Sequence, residues 1–156
     1  SIASLGSQTS RGDKVLYLAR ASGTKRSVAN QEEVLRVIKK HVGDKIVVVH
    51  PENSWRVDRP IFEQASMIIG PHGGAMANMI FAPTNTTVIE FLPLTRLKKR
   101  GANERPCYFG LARGMGFAYH AVEPPDFTFE RPMTVPLLEL ENTLSLAYHN
   151  PPSDPG

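Results

Sequence analysis

Residues 66–93 read SMIIGPHGGAMANMIFAPTNTTVIEFLP. An apolar run leads into a turn made of Pro71, His72, Gly73 and Gly74. A second apolar stretch follows, and then a β-branched run that ends in Glu90 and Phe91. Met67 to Gly70 has the length and composition of a strand buried on both faces of a parallel sheet. Ala75 to Ala82 reads as a helix, with Met76, Met79, Ile80 and Phe81 as the face turned to the sheet, and Thr87 to Leu92 reads as a second strand. Strand, helix and returning strand make up the unit from which parallel sheets are built.

The same alternation continues on both sides. Upstream, KVLYLA (14–19) and KIVVVH (45–50) are strands of the same apolar, β-branched kind. Between them Asn30 and Glu33 form a capping-box-like helix start, Val34, Leu35, Ile38 and Val42 share one helical face, and Gly43 supplies a stop. PIFEQAS (60–66) reads as another helix, begun by Pro60. Downstream, NERPCYFGLARGMG (103–116) is a helix and FAYHAV (117–122) a strand. VPLLELENTLSLAYHN (135–150) is a closing helix with Leu137, Leu140, Leu144 and Tyr148 on one side. Five strands alternating with helices predict an α/β, doubly wound, Rossmann-like parallel sheet. Residues 1–13 and 150–156 are polar and rich in Ser, Pro and Gly, so a flexible lead and tail are expected around a single domain spanning 14–149.

Composition frames what the domain can be. At 156 residues with 41% hydrophobic content the chain can bury one sizeable core. It has no apolar run of about 18 residues and no signal-peptide pattern, and its start without Met reads as that of an excised or processed piece. The single cysteine, Cys107, excludes an internal disulfide and a cysteine-based metal cluster. Histidines at 41, 50, 72, 120 and 149 show no pair at metal-ligand spacing on one helix, so no metal is expected. A formal charge of +3 permits an anionic partner without demanding one. RLKKR (96–100) is short and lacks interleaved aromatics, so no nucleic-acid partner is expected. An esterase is excluded, because the HGG run has no Gly-x-Ser-x-Gly elbow to go with it. Arg11-Gly12-Asp13 carries no weight as an adhesion motif, and neither a dinucleotide fingerprint nor a Walker motif is present.

In an open parallel sheet, ligands bind beyond the carboxyl ends of the strands. After the first strand come Arg20, Lys25 and Arg26; after the second, His50 and Glu52; after the third, His72, Gly73 and Gly74; near the end of the fourth, Glu90. Two glycines at a helix start leave backbone N–H groups open to a phosphate, and the guanidinium of Arg20 or Arg26 can reach across from the neighbouring loop. The set suits a diphosphate better than a single carboxylate. A tight strand-to-helix turn capped by His72 explains the heptapeptide equally well by itself.

The stretch FEQASMIIGPHGGAMANMIFAPTNTTVIEFLP (62–93) closely resembles the hallmark segment of the family-61 glycosyltransferases, in which Gly-Pro-His-Gly leads into a helix bearing an Asn and then a strand ending in Glu. YLARASGTKRSVANQEEV (17–34) resembles the same family's Arg-containing strand end and helix start, with Asn30-Gln31-Glu32 in place of the usual Asn-Glu. That family includes plant xylan xylosyl- and arabinosyltransferases and the EGF-domain-specific O-GlcNAc transferase. The resemblance implies the nucleotide-sugar-binding, C-terminal half of a two-Rossmann-domain (GT-B) enzyme, with the N-terminal half absent from this chain.

It further implies transfer of a sugar from a UDP-sugar to a hydroxyl of a glycan or glycoprotein, metal-independent and inverting. The UDP-sugar is the donor substrate and no cofactor is expected. On this basis Gly73 and Gly74 cradle the diphosphate while His72 with Arg20 or Arg26 neutralises it. Asn78 contacts the donor or fixes the loop. Glu90 accepts from sugar or ribose hydroxyls, or is a buried acid paired with one of the arginines. His50 and Glu52 are candidates for base or ribose contacts, and Trp55 for stacking or packing. Eukaryotic members are lumenal to the Golgi or endoplasmic reticulum, which the sequon Asn85-Thr86-Thr87 suits, and bacterial ones cytoplasmic. The alternative is a GT-like module that has lost catalysis and retains a binding or structural role.

Overall fold

The computed structural model describes residues 12–51, 55–99 and 107–149, with only the backbone of Trp55 and Cys107. Residues 1–11 and 150–156, Glu52, Arg100 and the side chain of Trp55 lie outside the described residues. Five strands, β1 (Lys14–Leu18), β2 (Ile46–Val49), β3 (Ala65–Pro71), β4 (Thr87–Phe91) and β5 (Ala118–Val122), form one sheet in the order β2-β1-β3-β4-β5. Every pairing is parallel. The helices are α1 (Gln31–Val42), α2 (Trp55–Phe62), α3 (Leu94–Lys99), α4 (Cys107–Gly114) and α5 (Leu137–His149), with a 3-10 helix over Gly74–Phe81. The α/β, Rossmann-like expectation is met. No helix among the described residues is long and apolar enough to cross a membrane.

The pleat sorts alternate strand residues into two cores. Val15, Tyr17, Met67, Ile69, Ile89 and Phe91 pack under α1 and α5, which contribute Val34, Ile38, Leu140 and Leu144. Leu16, Leu18, Ile68 and Val88 pack on the opposite face under Phe62 of α2, Met76 and Met79 of the 3-10 helix and Ala112 of α4. Removing a fully buried leucine such as Leu140 leaves a cavity, at a cost of about 2–5 kcal/mol. From β1 the chain steps outward to β2 over one face and returns past β1 to β3 over the other. The order therefore reverses between β1 and β3, and a crevice opens beyond their carboxyl ends. Gly70 lets the two strands close up there, since a Cβ on it would lie 2.9 Å from Leu18 Cβ.

Several local readings are corrected. Asn30 makes no helix cap. Its side chain instead pairs with the Val135 backbone in both directions, Nδ2 donating to the carbonyl and Oδ1 accepting from the amide, each at 2.9 Å. A tertiary partner 105 residues away thus takes the groups a capping box would use. The stretch after Gly73 is a 3-10 helix, with Met76 N–H donating to Gly73 O and Ala82 N–H to Met79 O. Three residues per turn align Met76 with Met79, both fully buried, and leave Ile80 51% exposed. Ile80 is therefore not on the buried face. Helix α2 begins at Trp55, ahead of Pro60, which lies inside it. Part of the basic run 96–100 lies on a short helix, α3.

Candidate functional site

The loop that leads from β1 into the β1–β3 crevice carries two arginines, Arg20 and Arg26, whose Nε atoms are without hydrogen-bond partners among the described residues. Arg20 follows β1 by two residues, and its side chain lies against Gly73 on the β3 loop, so closely that a Cβ there would come within 2.6 Å of Nη1. The Nε atoms of Arg20 and Arg26 are buried, and neither has a hydrogen-bond partner among the described residues. Burial, and then the charge of Arg26, lowers the Arg20 pKa from its ordinary value. Arg26 also adopts a positive φ of 59°, rare for a side chain of its size. Its N–H donates to Arg131 O at 3.0 Å, which ties the β1 loop to the segment before α5. Lys25, the third cation of the loop, pairs instead with Glu130 at the surface.

His72 precedes the glycine that Arg20 lies against and is held from several sides. Its Nδ1 lies 2.8 Å from Glu90 Oε2, and the other carboxylate oxygen accepts from Tyr119 Oη at 2.5 Å. The tautomer that satisfies the carboxylate has Nδ1 donating, which leaves Nε2 as the ring nitrogen without a hydrogen bond among the described residues. Tyr108 and Phe129 flank the ring at centroid distances of 5.1 and 5.9 Å. Burial and the Glu90 charge push the Tyr119 phenol above its usual range, so it remains a donor at neutral pH. Glu90 is fully buried. Its oxygens bond His72 and Tyr119, so it is a buried acid whose partners among the described residues are these two and not an arginine.

The other candidates are placed as follows. Gly74 is exposed, and a Cβ on it would meet nothing within 4 Å. Asn78 lies one turn into the 3-10 helix and donates from Nδ2 to Asp58 Oδ2 at 3.4 Å, linking that helix to α2. His50 is exposed after β2. Among the described residues no group of three or more His, Cys, Asp or Glu is placed to hold a metal. Sequence reasoning missed Tyr119, although a signal existed. Tyr119 pairs with Val88 in register, so it shares a sheet face with Glu90, and two polar residues of one parity on adjacent strands invite a hydrogen bond. Phe129 and Tyr108 carried no such signal.

Residues 3–89 match the sequence model of the family described as Glycosyltransferase 61. The chain belongs to glycosyltransferase family 61. The match spans more than half of the chain and includes Arg20, Arg26, His72, Gly73, Gly74 and Asn78, ending one residue before Glu90. No curated protein matches the chain.

Proposed function

We propose that this domain binds the diphosphate of a UDP-sugar in the β1–β3 crevice and promotes transfer of the sugar to a hydroxyl of a glycan or glycoprotein. The observation that carries the reading is the meeting of Arg20 with Gly73 beside His72, with the Nε atoms of Arg20 and Arg26 unpartnered. In this reading the guanidinium groups take the phosphate oxygens, which otherwise would need a divalent cation, and Gly74 leaves its backbone open to them. In the doubly protonated form of His72 both ring nitrogens donate, Nδ1 to Glu90 and Nε2 to the oxygen that departs with the diphosphate as the glycosidic C–O bond breaks. Glu90 and Tyr119 act behind it, holding the ring at one angle. The acceptor hydroxyl attacks from the opposite side of the anomeric carbon, which inverts it. The group that removes the hydroxyl proton is assigned to the N-terminal half of the enzyme, and the full active site forms between the two halves.

A calorimetric titration of the chain with UDP, ADP and GDP, each with and without Mg²⁺, tests this. Binding selective for UDP and unaltered by Mg²⁺ is expected. Binding that requires the cation would overturn the proposed role of the arginines, and the absence of any binding by the folded chain would favour a domain that has lost donor recognition.

A further inference from the structure

A second concavity lies beside the crevice. Arg96 and Leu97 of α3, together with Phe127, Thr128 and Phe129 of the segment after β5, line a cavity of about 280 Å³. Drug-sized ligands occupy cavities of about 300–1,000 Å³, so this one suits a single ring. Its walls are braced. Arg96 Nη2 donates to Phe127 O at 2.7 Å, and the start of α3 is fixed by Glu123, which accepts from Thr95 N–H and from Thr95 Oγ1. Phe127 and Phe129 meet edge to face at 5.1 Å, and Phe129 is 41% exposed. The hydroxyl of Thr128 is buried and has no hydrogen-bond partner among the described residues. Phe129 also touches His72, so the cavity adjoins the imidazole on which the proposed leaving-group chemistry rests.

Exposed aromatic carbon, a guanidinium with donors to spare and one orphan hydroxyl form a composite surface. A flat apolar ring would satisfy the phenylalanines and leave Thr128 unpaired, and an anion would gain little from walls that are mostly apolar. A sugar ring meets all three: its C–H face packs on Phe129 by dispersion and weak C–H···π contact, while its hydroxyls reach Thr128 and Arg96. We infer that this cavity is a saccharide subsite, taking one sugar ring next to His72; the inference deepens the donor-binding reading of the crevice and rests on it. The ring is either the donor's own or the terminal unit of the acceptor.

Titration of the isotope-labelled chain with UDP, UDP-xylose, UDP-N-acetylglucosamine, methyl β-xyloside and N-acetylglucosamine separates the sources, with Gly73 N–H reporting the crevice and the Phe127 and Phe129 rings reporting the cavity. Ring shifts with a UDP-sugar beyond those with UDP place the donor sugar in the cavity, and ring shifts with a free saccharide place the acceptor there. Phe129→Ala is expected to reduce affinity for the saccharide-bearing ligand about tenfold, against a few-fold at most for UDP, since Phe129 also flanks His72. Thr128→Val, which removes only an unbonded hydroxyl and so spares the fold, should reduce it several-fold. A Gly73 response to UDP with silent rings for every saccharide would overturn the subsite and leave the crevice reading standing. Ring shifts without a Gly73 response would support the subsite and sink the diphosphate reading, and silence at both would remove both.

Discussion

The two ends of the sheet differ in what they leave unfinished. At the amino ends, Lys14 N–H donates to Gln64 O, Ser66 Oγ to Lys14 O, and Thr86 Oγ1 to Pro83 O at 2.6 Å. At the carboxyl ends, Arg20 Nε, Arg26 Nε and Thr128 Oγ1 are buried without hydrogen-bond partners among the described residues, whereas on the amino-end side only His41 Nε2, in the last turn of α1, is in that state; the fully buried Glu90 is committed to His72 and Tyr119. The larger cavity lies at the amino ends, about 480 Å³ against about 280 Å³. Its lining includes Ser66, already bonded, and Lys45, 6.0 Å from the Tyr148 ring centroid. More of the open hydrogen-bonding capacity, though not the larger of these two cavities, thus lies at the end to which the proposed function assigns the donor.

Substitutions at the carboxyl end test that contrast most severely. Arg20→Ala is expected to weaken UDP binding by about 30- to 100-fold, the scale of a lost charged hydrogen bond, with an unchanged or higher Tm. Ser66→Ala at the other end should leave UDP affinity as it is; an equal loss in the two variants would erase the distinction between the ends. Gly73→Ala comes next. The new methyl would displace the Arg20 guanidinium, lowering UDP affinity about tenfold with little cost to the fold, because a long side chain can move aside. Gly74→Ala meets no protein atom, so any loss of affinity it causes reports a ligand in that space. The pair together locates the phosphate along the loop.

Smaller effects follow from the groups behind His72. Tyr119→Phe removes a hydrogen bond and leaves a buried carboxylate oxygen unsatisfied, at a cost of about 1–3 kcal/mol in urea unfolding. UDP affinity should fall only a few-fold, since the tyrosine acts through Glu90 and His72. Alkaline stability provides a finer check. Tyr17 and Tyr119 are raised above the ordinary phenol value of 10.0, chiefly by burial. A raised folded pKa gives stability that is fully present below pH 10 and lost above it, where the unfolded chain ionises first. Each phenol contributes a slope of about 1.4 kcal/mol per pH unit there. Tyr119→Phe should remove one of the two slopes, and an unaltered slope would contradict its burial.

The sequence shows the layers of this fold more clearly than their joints. All five strands are legible because buried parallel strands are continuous apolar runs, and Leu140 and Leu144 are legible on α5 from helical spacing alone. The clustering of Arg20, His72 and Gly73 follows from strand order, once parallel strands place their loops at one end. What hides is tertiary exchange. Asn30 has the local pattern of a cap, and only the approach of Val135 redirects it. Glu90 reads as a strand-end acid, and its burial behind His72 depends on Tyr119 across the sheet. The Phe127–Phe129 segment lies in an irregular stretch with no periodicity, so nothing local announces the cavity it forms with α3.

The central claim is that Arg20, which lies against Gly73, and Arg26 of the same loop hold a second phosphate. The direct measurement is a calorimetric comparison of UDP with UMP for the chain and for its Arg20→Ala variant. Tighter binding of UDP than UMP is predicted, with that difference largely abolished in the variant. Equal binding of the two nucleotides by the unaltered chain, or a difference that survives loss of Arg20, would contradict it.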